Sequence, residues 1–300
     1  MFIFAVVVCP LGASDIHRWD RTRKIRLIYG LAVTNKGDRP LGNITVRVPE
    51  IQDRPPYQSA DVIAVRPGDF TRERSPRDVP LARFEIEKLA PGEKRTFLVQ
   101  AEVAVSEVTY RLQEEKAHDP GASMRQFLSL DGDFTTKSPA LREKCREFAR
   151  EKNPLKRAKN IYLYIISGAF TFSNSPAGSG VDLSFRTKHL NCSDAASLYL
   201  VMCRLCGIPA RYVGGIFYTS ERKWYPLLHA WNEIYIPPFG WLPVDPTLGR
   251  ISAKNRSLCF AHIRNRYIAL WSDQPGAFSI ESPSDADHLE FHHSVHAESL

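Results

Sequence analysis

Asn191-Cys192-Ser193-Asp194-Ala195-Ala196 opens the most informative part of this chain, which continues with Leu228-His229-Ala230-Trp231 and with Trp241-Leu242-Pro243-Val244-Asp245-Pro246-Thr247. These three stretches supply a cysteine, a histidine and an aspartate in that order. Thiol-based acyl transfer needs all three groups, because a thiolate attacks a carbonyl, a histidine moves the proton and a carboxylate orients the histidine. Cys192, His229 and Asp245 are therefore the candidate catalytic residues.

The residues after Cys192 follow the pattern of an amphipathic helix. Its apolar positions recur at helical spacing, at Ala195, Leu198, Tyr199, Met202, Leu205 and Cys206. Gly207 and Pro209 end the pattern, so Cys192 is predicted to lie at the helix N-terminus. The unpaired N–H groups there favour a thiolate, and the N–H of Cys192 can face a developing oxyanion.

His229 and Asp245 are predicted to lie on neighbouring strands joined by a turn at Pro237–Gly240. A four-residue turn would place Asp245 opposite Asn232, on the face away from His229. A loop of three or five residues would place Asp245 opposite Trp231 and on the same face as His229. A catalytic triad therefore requires an odd-length loop or a bulge, and the sequence alone does not decide which loop forms.

Each candidate also has a purely structural interpretation. Cys192 could be a thiol at a helix cap, His229 a hydrogen-bonded histidine on a half-buried strand, and Asp245 a turn residue before Pro246. Their joint occurrence favours catalysis. Cys203 and Cys206 form a C-x-x-C pair, which resembles a redox or zinc half-site. No second pair stands at zinc spacing, and we predict no metal and no cofactor.

Composition is that of an ordinary soluble protein. The 300 residues are 43% hydrophobic and 24% charged, which allows two domains with sizeable cores. No apolar run is long enough to span a membrane. The net charge of +7 is spread among acidic residues without a basic-aromatic motif, so we predict no nucleic-acid partner.

The N-terminal part of the chain alternates like β-strands. Alternating apolar residues and Pro/Gly turns between Arg23 and Gln113 predict a small immunoglobulin-like sandwich as an accessory domain over residues 15–116. The arginine- and proline-rich stretch 52–80 is interpreted as a long excursion between strands. Helical patterns begin after a linker near residues 117–121, and a catalytic domain is predicted over 117–275.

Both ends of the chain differ from the rest. Residues 1–14 resemble the back half of a secretory signal peptide, which predicts an extracytoplasmic protein; a short buried strand is the alternative. Residues 276–300 are predicted to be a polar tail. His288, His292 and His296 would share one face if this tail were helical, and that face could bind a metal; a frayed terminus is the other interpretation.

The central motifs resemble those of the transglutaminase-like superfamily of papain-fold cysteine enzymes. Besides the three opening stretches, the resemblance rests on Cys206-Gly207-Ile208-Pro209-Ala210-Arg211-Tyr212-Val213-Gly214-Gly215 and covers roughly residues 140–250. It implies an α+β core whose nucleophile helix packs on an antiparallel sheet. It also implies Cys192 as nucleophile, His229 as base and acid, and Asp245 as the orienting carboxylate.

The resemblance leaves the oxyanion donors open. Asn191 could be the helix N-cap or a donor, Asn174 lies in the upstream region where the family has its second donor, and Trp231 is a supporting candidate. We expect an enzyme that hydrolyses a peptide or amide bond through a thioester. Amine transfer, with protein cross-linking, and a non-catalytic binding or assembly module are the alternatives. Calcium is not expected, because no oxygen-ligand loop stands out.

Overall fold

The computed structural model describes residues 17–76, 78–173, 180–219, 226–273, 278–282 and 286–300. Its strands are β1 (His17–Asn35), β2 (Leu41–Pro49), β3 (Gln58–Arg66), β4 (Thr71–Arg74), β5 (Pro80–Leu89), β6 (Lys94–Tyr110), β7 (Thr171–Phe172), β8 (His189–Leu190), β9 (Ala210–Tyr218), β10 (Pro226–Ile236), β11 (Gly240–Val244), β12 (His262–Ile263), β13 (Tyr267–Ser272), β14 (Ser279–Glu281) and β15 (Leu289–Ser299). Its α-helices are α1 (Pro139–Ala149), α2 (Pro154–Ile166), α3 (Gly180–Thr187), α4 (Cys192–Leu205), α5 (Pro246–Gly249) and α6 (Ala253–Leu258).

Two antiparallel sheets form a sandwich, mostly from the N-terminal part of the chain, to which the C-terminal part adds β12, β14 and β15. One has the order β12-β6-β1-β15, with β3 also paired to β6, and the other has the order β14-β2-β5-β4. Alternate residues of β1 point into the space between the sheets and are buried: Ile25, Leu27, Tyr29, Leu31 and Val33. They share one apolar core with buried residues of β2, β5 and β6, as two facing sheets require.

The interpretation of residues 52–80 as an excursion without strands is wrong. Residues 58–66 form β3, which pairs with β6, and residues 71–74 form β4, which pairs with β5. The charged residues of β3 and β4 interrupt the apolar alternation that predicts a strand. Each of these strands pairs on one edge with a neighbour, β6 or β5, and an outer strand of this kind can carry charged side chains that face water.

The interpretation of the C-terminal residues as a frayed or helical tail is also wrong. Residues 289–299 pair with residues 25–35 of β1, and residues 279–281 pair with β2. Val295 and Ala297 pack against the sandwich core, which holds this polar strand in place. His292 and His296 therefore lie on a strand, and the helical face proposed for them with His288 does not form.

The central part of the chain builds a second core around α4. Strands β11-β10-β9-β13 form an antiparallel sheet, and α4 packs against β9 and β10. The predicted apolar face of α4 is buried, with Leu198, Tyr199 and Met202 fully enclosed. This α+β core and its sandwich partner confirm the fold class expected from the sequence.

Both ends of α4 have the capping groups that the sequence suggests. Asn191 is the N-cap and accepts a hydrogen bond from the Asp194 N–H at 2.9 Å, while Asp194 reciprocates at the Asn191 N–H. At the C-terminus the N–H groups of Gly207 and Ile208 donate to the carbonyls of Arg204 and Cys203. Gly207 has a φ of +75°, which favours glycine at this position.

The two cores are joined through strands and through a buried ion cluster. Strand β12 pairs with β6 of the sandwich, and Ile216, Ile268 and Leu270 of the central sheet pack into the sandwich core. Glu233 on β10 accepts hydrogen bonds from the Tyr57 hydroxyl at 2.6 Å and from Arg54 Nη1 at 3.2 Å. The segment between β2 and β3 is thus tied to the strand that carries His229.

The N-terminal residues 1–14, predicted as a signal remnant, lie outside the described residues, so that interpretation stays a prediction. Among the helices that the structure describes, none is both long and apolar enough to cross a membrane.

Candidate active site

Cys192 is the first residue of α4 and lies at the edge of the central sheet. It is partly exposed, unlike the other cysteines of the described residues, which are buried. Both His229 and the backbone N–H of Ala230, on β10, lie near enough to lower the pKa of its thiol. The predicted position at a helix N-terminus is therefore combined with proximity to the candidate base.

The hairpin between β10 and β11 brings Asp245 to His229. Ile236 pairs with Gly240, which leaves a three-residue loop, and the last pair joins Asn232 to Val244. The next position places Asp245 opposite Trp231 and on the face of His229, as the odd-length condition requires. The Nε2–H of His229 donates to Asp245 Oδ2 at 2.8 Å, so Nδ1 is the ring nitrogen left for the thiol.

Asp245 is itself held by several donors. Its Oδ1 accepts from the Leu248 N–H at 3.0 Å, which makes it the N-cap of α5. Its Oδ2 accepts a second hydrogen bond from the Tyr267 hydroxyl at 2.8 Å. These contacts fix the carboxylate while it orients His229.

Sequence reasoning missed Tyr267. The residue lies on β13, which pairs with β9 and not with β11, and its ring contacts Trp231 with centroids 5.2 Å apart. Nothing in its local sequence distinguishes it from other aromatic core residues. Only the sheet order places its hydroxyl against Asp245.

The electrostatics of the three residues favour an ion pair. Burial raises the pKa of the Cys192 thiol, but the hydrogen bond and charge of His229, helped by the Ala230 N–H, bring it below its ordinary value. Burial lowers the pKa of His229, but Asp245 and Cys192 outweigh it and raise this pKa to about 10. Burial likewise opposes ionisation of Asp245, yet His229, Leu248 and Tyr267 hold its pKa below the usual range.

The three oxyanion or support candidates have different positions. The side-chain oxygen of Asn191 accepts the capping hydrogen bond of α4, so only its amide nitrogen could donate to a substrate oxyanion. That role stays a prediction. Trp231 is buried beside His229, with ring centroids 6.2 Å apart, and its indole N–H has no hydrogen-bond partner among the residues that the structure describes. Asn174 lies outside the described residues.

Metal binding finds no support among the residues that the structure describes. No group of three or more histidine, cysteine, aspartate or glutamate side chains there is arranged to hold an ion. The C-x-x-C pair is embedded in the core, since Cys203 is fully buried and Cys206 is 3% exposed.

Thiol reactivity checks the ion pair without any substrate. Wild-type Cys192 should react with iodoacetamide at neutral pH faster than an ordinary thiol, because its lowered pKa increases the thiolate fraction. His229→Gln should slow this alkylation and move its pH midpoint upward. Quantitative mass spectrometry of the modified peptide measures both. A midpoint that is the same in the two proteins would contradict the role of His229 in lowering the pKa of Cys192.

Comparison with known proteins finds a family for the stretch of sequence that carries the site. Residues 142–246, which include Cys192, His229 and Asp245, match the model of the transglutaminase-like superfamily. This region belongs to the transglutaminase-like superfamily. The expectation drawn from the motifs is thus confirmed for the part of the chain that carries them.

Two similar proteins extend the comparison of the transglutaminase-like region. The “Uncharacterized protein YebA” of Bacillus subtilis (strain 168) is 32% identical over an alignment of 117 residues, which covers 32% of this chain and 16% of that protein. This chain thus spans about a sixth of the length of that curated relative. The crystal structure of a “Putative Cysteine Protease from Cytophaga hutchinsonii” has a TM-score of 0.64 at 17% identity, covering 95% of this chain and 93% of that one. The second similarity shows the fold, and it includes the sandwich as well as the transglutaminase-like core.

Proposed function

We propose that this protein is a cysteine-dependent acyl-transfer enzyme that hydrolyses a peptide or amide bond through a thioester. The observation that carries the proposal is the His229 imidazole, hydrogen bonded to Asp245 and close enough to Cys192 to lower the pKa of its thiol. A lowered thiol pKa beside a raised imidazole pKa favours the thiolate–imidazolium ion pair that acyl transfer uses.

The proposed reaction uses each residue in turn. The Cys192 thiolate attacks the substrate carbonyl carbon, and the oxyanion that forms faces the backbone N–H of Cys192 at the start of α4. The His229 imidazolium gives its proton to the leaving amine, and a thioester on Cys192 remains. His229 then accepts a proton from water, which attacks the thioester and releases a carboxylic acid and the free thiol.

A generic acyl donor tests this scheme before the natural substrate is identified. The protein should release nitrophenol from a p-nitrophenyl ester and carry the acyl group as a thioester on Cys192, detected by intact-mass and peptide mass spectrometry. Cys203→Ala should form the same thioester, because this thiol is fully buried. Acylation elsewhere, or at the same rate when Cys192 is replaced, would overturn the proposal.

The acceptor is tested in the same assay. With an added primary amine, hydrolysis should still give the free acid as the main product. If the amide of the added amine predominates instead, the enzyme is an amine transferase, as in the cross-linking alternative, while the thioester step remains.

The pH dependence tests the role of Asp245. Activity should fall on the alkaline side as His229 loses its proton, with a limb near its pKa of about 10. Asp245→Asn removes the negative charge that raises this pKa, so the limb should move down by about 1–3 pH units. Tyr267→Phe keeps the negative charge of Asp245 and should therefore move the alkaline limb little. Profiles of kcat/KM against pH measure the limb, and an unmoved limb in Asp245→Asn would contradict this assignment.

A further inference from the structure

The C-terminus of α4 holds a pair of thiols that the proposed catalysis does not use. Cys206 at the C-cap and Cys145 on α1 are each 3% exposed. The Cys206 thiol donates to the Cys145 carbonyl oxygen at 3.3 Å, and each thiol shifts the pKa of the other. The two cysteines, which come from different helices, are therefore neighbours in the core.

The other cysteines of the described residues are placed differently. Cys203, one turn earlier on α4, hydrogen bonds with the Tyr199 hydroxyl. Cys259 hydrogen bonds with Tyr267, near Asp245, and Cys192 lies at the opposite end of α4. The C-x-x-C spacing in the sequence thus suggests the wrong partner for Cys206, because the partner in space comes from α1.

A cation lies beside the pair. Arg157 donates from Nη1 to the Cys206 carbonyl at 3.0 Å and from Nη2 to Asp119 at 2.8 Å. The hydrogen bond from Cys145 lowers the pKa of the Cys206 thiol against the effect of burial, and the charge of Arg157 lowers it further. Because the pKa of Cys145 is raised, Cys206 is the thiol of the pair that ionises first.

We propose that Cys145 and Cys206 form a redox site that closes to a disulfide between α1 and the C-terminus of α4, with a small disulfide such as oxidised glutathione as oxidant. The Cys206 thiolate attacks one sulfur of the oxidant and releases one glutathione as a thiolate, which takes the proton of Cys145. The Cys145 sulfur then attacks the Cys206 sulfur and releases the second glutathione as a thiolate, which takes up the proton that Cys206 lost on ionising. Two thiols are oxidised, and one glutathione disulfide is reduced to two thiols.

Closing this site should stabilise the fold and spare the nucleophile. The bond would close the chain from residue 145 to residue 206, which restricts the unfolded state. Cys192 is separated from it by the length of α4, about 20 Å at 1.5 Å per residue. Closing the bond should therefore raise the midpoint of thermal unfolding by several degrees without including Cys192 in the disulfide.

Peptide mapping after oxidation tests the site. The Cys192→Ala protein, which cannot form a mixed disulfide at the nucleophile, is equilibrated with oxidised glutathione, both folded and during refolding, and then digested with trypsin without reduction. Cleavage after Arg204 separates Cys203 from Cys206. Peptides 145–146 and 205–211 should appear joined, with the loss of two hydrogen atoms.

Two matched variants make the outcome decisive. Cys203→Ala should retain the joined peptides and the higher unfolding midpoint after oxidation. Cys145→Ser should show neither the joined peptides nor the higher unfolding midpoint. A bond between Cys203 and Cys206, or free Cys145 and Cys206 after both the folded and the refolding treatment, would overturn the proposal.

Discussion

Replacing Cys192 by alanine should reduce acyl-transfer activity by at least about 10³-fold, because it removes the sulfur that forms the proposed thioester. In the described residues, the remaining thiols are buried, and those of Cys145, Cys203 and Cys259 have pKa values raised by burial or by a neighbouring thiol. Turnover of a p-nitrophenyl ester, followed with substrate in excess, measures the loss.

Cys203→Ala is the control for the loss of a thiol from α4. It should keep near wild-type turnover, although it removes a sulfur from the same helix. If Cys192→Ala retains the activity of this control, the fold does not act through a thioester. The alternative of a non-catalytic binding or assembly module would then be favoured.

Replacing Glu233 by glutamine should destabilise the protein by about 3–5 kcal/mol. The carboxylate is buried and accepts hydrogen bonds from Tyr57 and Arg54, and it forms an ion pair with Arg211. Without the negative charge, the buried Arg54 guanidinium loses its ion-pair partner, and Arg211 keeps only the more distant charge of Asp273. The free energy of unfolding in urea measures the change.

Glu143→Gln is the matched control for Glu233→Gln. Glu143 pairs with Arg146 on the surface of α1, and the two side chains are 61% and 70% exposed. Water screens such a pair, so its loss should cost less than about 1 kcal/mol. Equal costs for the two variants would mean that the buried cluster does not stabilise the junction between the sandwich and β10.

The hairpin shows where sequence reasoning reached its limit. Alternation predicted that His229 and Asp245 lie on neighbouring strands, because that pattern is local. It could not decide the pairing register, since loops of three and four residues are both compatible with Pro237–Gly240. The pairing of Ile236 with Gly240 selects the three-residue loop and places the carboxylate beside the imidazole.

The sequence did not predict the C-terminal strand β15, for a related reason. Residues 289–299 lack a strongly apolar face, so their own sequence does not favour a strand. Backbone hydrogen bonds to β1, from the other end of the chain, make them one. The same holds for Tyr267, whose role depends on the order of strands in the central sheet.

By itself, the sequence of this protein determined its helix starts and stops, its alternating strands and the types of its reactive residues. These features arise from interactions between neighbours in the chain, such as the Asn191 cap of α4 and the buried stripe behind it. Only the tertiary structure decided which distant groups meet. Strand register and sheet order depend on contacts far apart in sequence, and they bring Tyr267 to Asp245 and Cys145 to Cys206.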